Sequence, residues 1–130
     1  MSEAHKSGRL VGKKLDANGR VFNVELLKFS NGIFATISED PEPRLGTITL
    51  SLKTHERVSS SNLIPDRRGS IFSGMVGELI VEKTQGISIV SLYLREEIDA
   101  TITKMLLSTI SELLDSMYSA SNLGEGSLTN

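Results

Sequence analysis

The chain of 130 residues has no cysteine and no tryptophan, and it has only two histidines and two tyrosines. Without cysteine, the chain forms no disulfide, no thiolate nucleophile and no thiolate metal site. Two histidines alone do not complete a usual zinc site. Because tyrosine is scarce and the net charge is −2 at pH 7, neither base stacking nor a general basic surface supports nucleic-acid binding.

Long apolar runs are also missing. No run approaches the ~20 apolar residues that cross a bilayer, and the N-terminal segment 1–10 has no apolar core of a secretory signal. We therefore expect a cytoplasmic protein that binds no membrane. The length fits one domain, which we place at 9–118. A flexible N-terminus at 1–8 and a disordered Gly/Ser-rich tail at 119–130 are expected to flank it.

The first half of the chain is patterned like β-strands. Asn18-Gly19 predicts a tight hairpin turn, because both residue types tolerate positive φ. The turn is expected to join strands at 9–15 and 20–29, and a third strand is predicted at 33–38. In the second strand every other side chain is large and apolar, namely Phe22, Val24 and Leu26. This alternation indicates one buried face.

A fourth strand is predicted at 47–53, after an acidic loop whose two prolines prevent ladder hydrogen bonds. Apolar and hydroxyl side chains alternate along it, which predicts a half-buried strand with a polar outer face. The apolar set is Ile48, Leu50 and Leu52, and the polar set is Thr47, Thr49 and Ser51. A short strand at 61–64 follows. The near-continuous apolar segment 87–94 predicts a strand at the centre of the sheet.

Two segments have helical periodicity. In 70–84 the apolar residues recur on one helical face, with Ser70 expected as the N-cap and Gly86 as the C′ residue. These apolar residues are Phe72, Met75, Val76, Leu79 and Ile80. A second helix at 96–118 has an apolar stripe wider than one sheet face requires. The resulting order, β-β-β-β-(β)-α-β-α, predicts an α+β fold with a mostly antiparallel sheet.

The residue types and their spacing do not indicate an active site. His5 lies in the polar N-terminus, His55 lies in an exposed stretch, and the GxSxG motif of serine hydrolases is absent. The segment 67–70 (Arg-Arg-Gly-Ser) before the first helix offers cations and free N–H groups to a phosphate, which leaves a small anion-binding enzyme as one alternative. It is not a Walker or dinucleotide-binding sequence. We therefore expect no enzyme, no cofactor and no bound metal.

Two further segments carry a resemblance to a known family. Residues 29–38 (FSNGIFATIS) form an aromatic-Ser turn and a β-branched strand, and residues 44–48 (RLGTI) open the next strand with Gly-Thr after a short charged loop. In this order, with the following strands and helices, they resemble the proteasome assembly chaperone 3 family over 29–110. The prolines at 41–43, the longer final helix and the tail depart from the family pattern.

The resemblance implies a six-stranded, mostly antiparallel sheet with two helices packed on it, and a non-enzymatic chaperone. Members of the family form homodimers or heterodimers with a related chaperone. They bind α-subunits of the 20S proteasome while the α-ring assembles. A transient assembly factor is expected to dimerise through apolar contacts and to hold its client through polar contacts.

This division of contacts predicts two sites. The predicted dimer interface consists of Ile102, Met105, Ile110 and Met75. The predicted client-binding loop consists of Lys53, His55, Glu56 and Arg57. A roadblock/longin-like or profilin-like interaction adaptor remains a second alternative function. Such folds usually open with a helix, whereas this sequence opens with a predicted hairpin.

Overall fold

The computed structural model describes residues 9–55, 57–64 and 69–129, and their side chains except at 64, 70 and 119–129. It confirms the α+β class and the predicted element order. The strands are β1 (Leu10–Ala17), β2 (Arg20–Phe29), β3 (Gly32–Ser38), β4 (Thr47–Thr54), β5 (Arg57–Ile64) and β6 (Ile87–Tyr93). The helices are α1 (Ser70–Thr84) and α2 (Ala100–Thr129). In the part of the chain described, neither helix combines the length and hydropathy needed to cross a membrane.

The six strands form one sheet in the order β1-β2-β3-β6-β4-β5. Only β3 and β6 are parallel, and the other neighbours are antiparallel. β6 therefore lies at the centre of the sheet, as its continuous apolar pattern predicts. Its position between β3 and β4 brings side chains from the first and second halves of the chain next to each other.

The first hairpin is confirmed. Asn18 and Gly19 both have positive φ, 56° and 88°, which is the geometry that favours Asn-Gly in a two-residue turn. The N–H of Gly19 donates to Asp16 Oδ1 at 3.0 Å. Because the turn is this tight, Ala17 pairs directly with Arg20, and β1 continues two residues beyond the predicted end at 15.

β5 is twice as long as the predicted strand at 61–64. The polar residues before it pair with β4, with Val58 opposite Lys53 and Arg57 opposite Thr54. His55 has a φ of 50° in the short connection between β4 and β5, which is therefore the end of a hairpin. β5 lies at the edge of the sheet and most of its described side chains are exposed, so it needs no apolar alternation. The serine run therefore gave no strand signal.

Both ends of α1 differ in detail from the prediction. The helix begins at Ser70, so its N-cap is Gly69, which has a φ of 74° and makes no side-chain cap hydrogen bond. At the other end the left-handed residue is Gln85, with a φ of 60°, rather than Gly86. Gly86 serves a close approach instead, because a Cβ built on it would lie 2.6 Å from the carbonyl oxygen of Asn31.

α2 begins at Ala100 and not at the predicted residue 96. Asp99 is the reason, because its Oδ1 accepts the N–H of Ile102 at 2.9 Å and so caps the first turn. The helical backbone then continues past residue 118 to Thr129. The predicted disorder of 119–130 in solution stays a prediction, as do the flexible segment 1–8 and the domain limits.

Both helices cover the same face of the sheet. The register places Leu26, Ala35, Val90 and Thr49 side by side across four strands, and each is at most 1% exposed. α2 packs over β1 and β2, and α1 packs over β3, β6, β4 and β5. The core between helices and sheet therefore lies entirely on one side of the sheet.

The orientation of β4 is the reverse of the prediction. Its hydroxyl side chains Thr47, Thr49 and Ser51 are buried under α1, and its apolar side chains Ile48, Leu50 and Leu52 lie on the opposite face. The close approach of α1 explains this, because a Cβ built on Gly77 would lie 2.2 Å from Ser51 Oγ. Only small side chains fit there, and two of the hydroxyls are paired, Thr49 with Ser73 at 2.9 Å and Ser51 with Ser60 at 2.7 Å. Thr47 Oγ1 is buried without a hydrogen-bond partner among the described residues.

Candidate interaction surfaces

The sheet face opposite the helices, called the open face below, carries an apolar row across five strands. Leu10 pairs with Leu27, Leu27 with Phe34, Phe34 with Ile89, and Ile89 with Leu50. Each of these side chains is half-buried by its neighbours. The adjacent row on the helix side is fully buried. No element within the described residues covers the open face.

Two larger exposed side chains extend the open face towards the start of β6. Phe29 is 43% exposed and Ile87 is 38% exposed. With Phe34 and Ile89 they border a shallow hollow of about 240 Å³. Gly32 forms part of it, and a Cβ there would lie 2.3 Å from the carbonyl oxygen of Ile87. The hollow thus depends on a glycine at the β3–β6 junction.

The predicted dimer residues do not form one surface. Ile102 and Ile110 are 3% and 0% exposed and belong to the core between α2 and the sheet. Met105 is half-buried against that core. Met75 is 41% exposed and borders a groove between the two helices, whose floor includes Leu79 and Leu107. The wide apolar stripe of α2 is therefore used largely within the chain, where it covers two strands and contacts α1.

The predicted client residues lie at the β4–β5 hairpin end. His55 and Arg57 are exposed, and Glu56 lies outside the described residues. Lys53 is partly shielded, with Nζ 3.4 Å from Gln85 Oε1 and 3.9 Å from Glu82 Oε1. The structure thus brings Lys53, His55 and Arg57 to one end of the domain, next to the C-terminal end of α1.

The opposite end of the domain contains a charged network. The carboxylate of Glu39 accepts hydrogen bonds of 2.7 Å from both Nε and Nη2 of Arg20, and one of 2.9 Å from the N–H of Arg95. The Arg20 bond is the main reason that the pKa of Glu39 is below its usual value, with burial acting in the opposite direction. The same bond raises the pKa of Arg20.

This network acts as a structural clamp. Besides Glu39, the Arg20 guanidinium donates to the carbonyl oxygens of Glu97 at 2.9 Å and Glu96 at 3.0 Å. It therefore fixes the segment between β6 and α2 against the start of β2. The carboxylate is occupied by a cation and a backbone N–H, so Glu39 is not a free acid or base. Sequence reasoning missed this pair because Arg20 begins β2 and Glu39 follows β3, and the pairing of these strands brings them together.

The described residues bear on the metal prediction and only in part on the predicted anion segment. They contain no group of three or more His, Cys, Asp or Glu side chains that could hold a metal ion. Of the predicted anion segment 67–70, residues 67 and 68 lie outside the described residues, and the side chain at 70 is also not described. The anion-binding alternative thus stays a prediction.

The fold is similar to that of a chain in the crystal structure of a novel chaperone complex for yeast 20S proteasome assembly. The TM-score is 0.61 at 12% sequence identity, and the match covers 85% of this chain and 94% of that chain. The similarity therefore extends over nearly the whole fold of both chains. No protein-family model matches this chain, and no curated protein matches its sequence.

Proposed function

We propose that this protein is a proteasome-assembly chaperone that dimerises and binds α-subunits of the 20S proteasome during assembly of the α-ring in the cytoplasm. The observation that carries the proposal is the uncovered apolar row Leu10–Leu27–Phe34–Ile89–Leu50. A fold shared with a chain of a proteasome-assembly chaperone complex supports the assignment, as does the sequence resemblance over 29–110.

The difference between the two faces of the sheet supports the proposed dimerisation. The helices of one chain leave this row of large apolar side chains uncovered. A second chain that covered it would gain about 0.8 kcal/mol for each methylene group removed from water. Two such faces pack about 10 Å apart as a β-sandwich, with side chains interdigitated. The partner is a second copy or a related chaperone with a similar face. The competing candidate for the dimer contact is the layer formed by α1 and α2, to which Met75 and Met105 belong.

Client binding is assigned to the hairpin end with Lys53, His55 and Arg57, together with Glu56. These residues are charged or polar, and the exposed Arg57 pairs with Thr54 at the end of β4, beyond the last member of the apolar row. Polar contacts at a small interface suit a factor that must leave once the α-ring is complete. The resulting division places the apolar contact in the dimer and the polar contact at the client.

Native mass spectrometry tests both parts in one experiment. The purified chain is measured alone and after mixing with individual proteasome α-subunits. The proposal predicts a dimer, from the chain alone or with a related chaperone, and a complex with at least one α-subunit. Arg57→Glu combined with Lys53→Glu is expected to weaken that complex at least tenfold and to leave the dimer intact. A monomer that ignores every α-subunit and every related chaperone would refute the proposal.

A further inference from the structure

A cavity of about 640 Å³ opens at the end of the domain where β2, β4 and α1 terminate. It is called the Lys28–Lys53 pocket below. Its lining combines two lysines, two amides and several apolar or aromatic side chains. Those that carry the argument are Lys28, Lys53, Asn31, Gln85, Phe29 and Ile87. A volume of this size fits a short peptide segment or a small ligand.

The two lysines are poorly neutralised. The Lys28 ammonium lies 4.5 Å from the centre of the Tyr118 ring, and no carboxylate among the described residues forms an ion pair with it within 4.0 Å. The two contacts of Lys53, 3.4 Å to Gln85 and 3.9 Å to Glu82, are at the outer limit of hydrogen bonding and ion pairing. Both ammonium groups can therefore bind an anionic partner without losing a strong ion pair.

Apolar surface lies beside these cations. Phe29 and Ile87, 43% and 38% exposed, border the pocket together with Leu52. An inorganic anion would satisfy the lysines but leave this apolar surface in water. A ligand that carries both a carboxylate and an apolar side chain would satisfy both. The side-chain amides of Asn31 and Gln85 can bond a peptide backbone.

We propose that the Lys28–Lys53 pocket binds an acidic peptide segment that inserts one large apolar or aromatic side chain. Its carboxylates approach the two lysines, and its apolar side chain packs on Phe29 and Ile87. The proposal rests on the proposed function in one respect, since the natural source of the segment would be the client protein. The recognition itself depends only on the chemistry of the pocket, so it can be tested without the client.

The test is fluorescence anisotropy with two labelled, amidated pentapeptides, Glu-Asp-Phe-Glu-Leu and its neutral match Gln-Asn-Phe-Gln-Leu. We expect the wild-type chain to bind the acidic peptide at least tenfold more tightly than the neutral one. Lys28→Glu combined with Lys53→Glu is expected to remove that preference, and Phe29→Ala to weaken both peptides severalfold. Raising the salt from about 0.05 M to about 0.5 M is expected to weaken the acidic peptide selectively.

The control is Lys104→Glu, which reverses one lysine charge, half the change of the double variant, at an exposed position on α2 away from the pocket. It is expected to change affinity for the acidic peptide less than twofold. Equal affinity for the two peptides, no binding of the acidic peptide up to about 1 mM, or an equal effect of Lys104→Glu would overturn the proposal. Circular dichroism of each variant confirms that it is folded.

Failure of this proposal is distinguishable from failure of the proposed function. A chain that binds α-subunits in native mass spectrometry but shows no preference for the acidic peptide keeps the chaperone assignment and loses the pocket. A chain that binds the acidic peptide through Lys28 and Lys53 but ignores all α-subunits keeps the pocket and loses the assignment. The two measurements use the same full-length protein.

Discussion

Arg20 and Glu39 form a two-point ion pair, with Nε and Nη2 of the arginine each 2.7 Å from a different carboxylate oxygen. The side chains are 20% and 8% exposed, so the pair is largely shielded from solvent. It joins the start of β2 to the end of β3 and, through the carbonyl oxygens of Glu96 and Glu97, to the segment that leads into α2. Parallel hydrogen bonds of this kind are the strong form of a charged contact.

The Arg20–Glu39 pair makes stability depend on pH. The pKa of Glu39 is lower in the folded chain than its ordinary value of 4.5, chiefly because of the Arg20 hydrogen bond. The unfolded chain therefore binds the proton more readily. The contribution of the pair is complete above the ordinary pKa and is lost as the pH falls through the folded pKa. We expect urea unfolding to show a fall in stability below about pH 5 that is smaller in Glu39→Gln.

Glu39→Gln is also expected to lower the free energy of unfolding at neutral pH. Glu39→Gln keeps the size of the side chain but leaves the Arg20 charge without its carboxylate, so we expect a loss of about 2 kcal/mol in the free energy of unfolding. Glu25→Gln, a half-exposed glutamate on β2 with no resolved ion pair among the described residues, is the matched control. Equal effects of the two changes would show that the clamp contributes nothing specific.

Two glycines in α1 provide a test of the close approach between helix and sheet. A Cβ on Gly77 would lie 2.2 Å from Ser51 Oγ, whereas a Cβ on Gly74 would meet no atom within 4 Å. Gly77→Ala is expected to destabilise the chain by about 2 kcal/mol through overpacking. Gly74→Ala is expected to stabilise it by up to about 1 kcal/mol through helix propensity.

Urea midpoints of the two alanine variants at pH 7 are the measurement. Both substitutions make the same chemical change on the same helix. The expected changes in stability therefore differ in sign only because the Cβ meets Ser51 at position 77 and open space at position 74. A stabilising Gly77→Ala would mean that α1 does not lie as close to β4 as described.

The N-terminus of α2 depends on one side chain. Asp99 Oδ1 accepts the N–H of Ile102 at 2.9 Å, so Asp99→Ala is expected to cost about 1 kcal/mol. Asp99→Asn retains an acceptor oxygen and is expected to cost less than half as much. Thermal unfolding followed by circular dichroism compares the three chains. If alanine and asparagine behaved alike, helix capping by this side chain would be unimportant.

The sequence predicts the elements better than it predicts which face each element buries. The unambiguous alternation on β2 correctly predicts that Phe22, Val24 and Leu26 belong to the core. The same rule failed on β4, where Leu50 points away from the helices and Ser51 points towards them. Binary patterning assumes that a chain buries its apolar face within itself, and this sheet has apolar residues on both faces.

The candidate surfaces could be predicted only in part, for a related reason. The apolar row becomes visible once pairing places Phe34 opposite Ile89 and Ile89 opposite Leu50, and these residues are far apart in the sequence. The stripe of α2 looked excessive because one helix covers two strands and also contacts α1. The Arg20–Glu39 pair likewise depends on strand order, which composition and spacing do not specify.

The two candidate dimer surfaces can be distinguished by substitution. Met105→Glu alters the helical layer, which the sequence predicts as the dimer interface, and Leu50→Glu alters the open face. If the dimer forms through the open face, Met105→Glu leaves the particle mass unchanged. Ile110 is unsuitable for this comparison, because it is fully buried and its substitution by a charge would unfold the domain.

Sedimentation velocity of the wild-type chain, Leu50→Glu and Met105→Glu at one concentration tests the central claim most directly. We expect the wild type, alone or mixed with a related chaperone, and Met105→Glu to sediment as dimers. Leu50→Glu is expected to sediment as a folded monomer, because a charge within a dry interface weakens it at least about 100-fold. A folded Leu50→Glu variant that remains dimeric, or a wild-type chain that stays monomeric in both settings, would contradict the account.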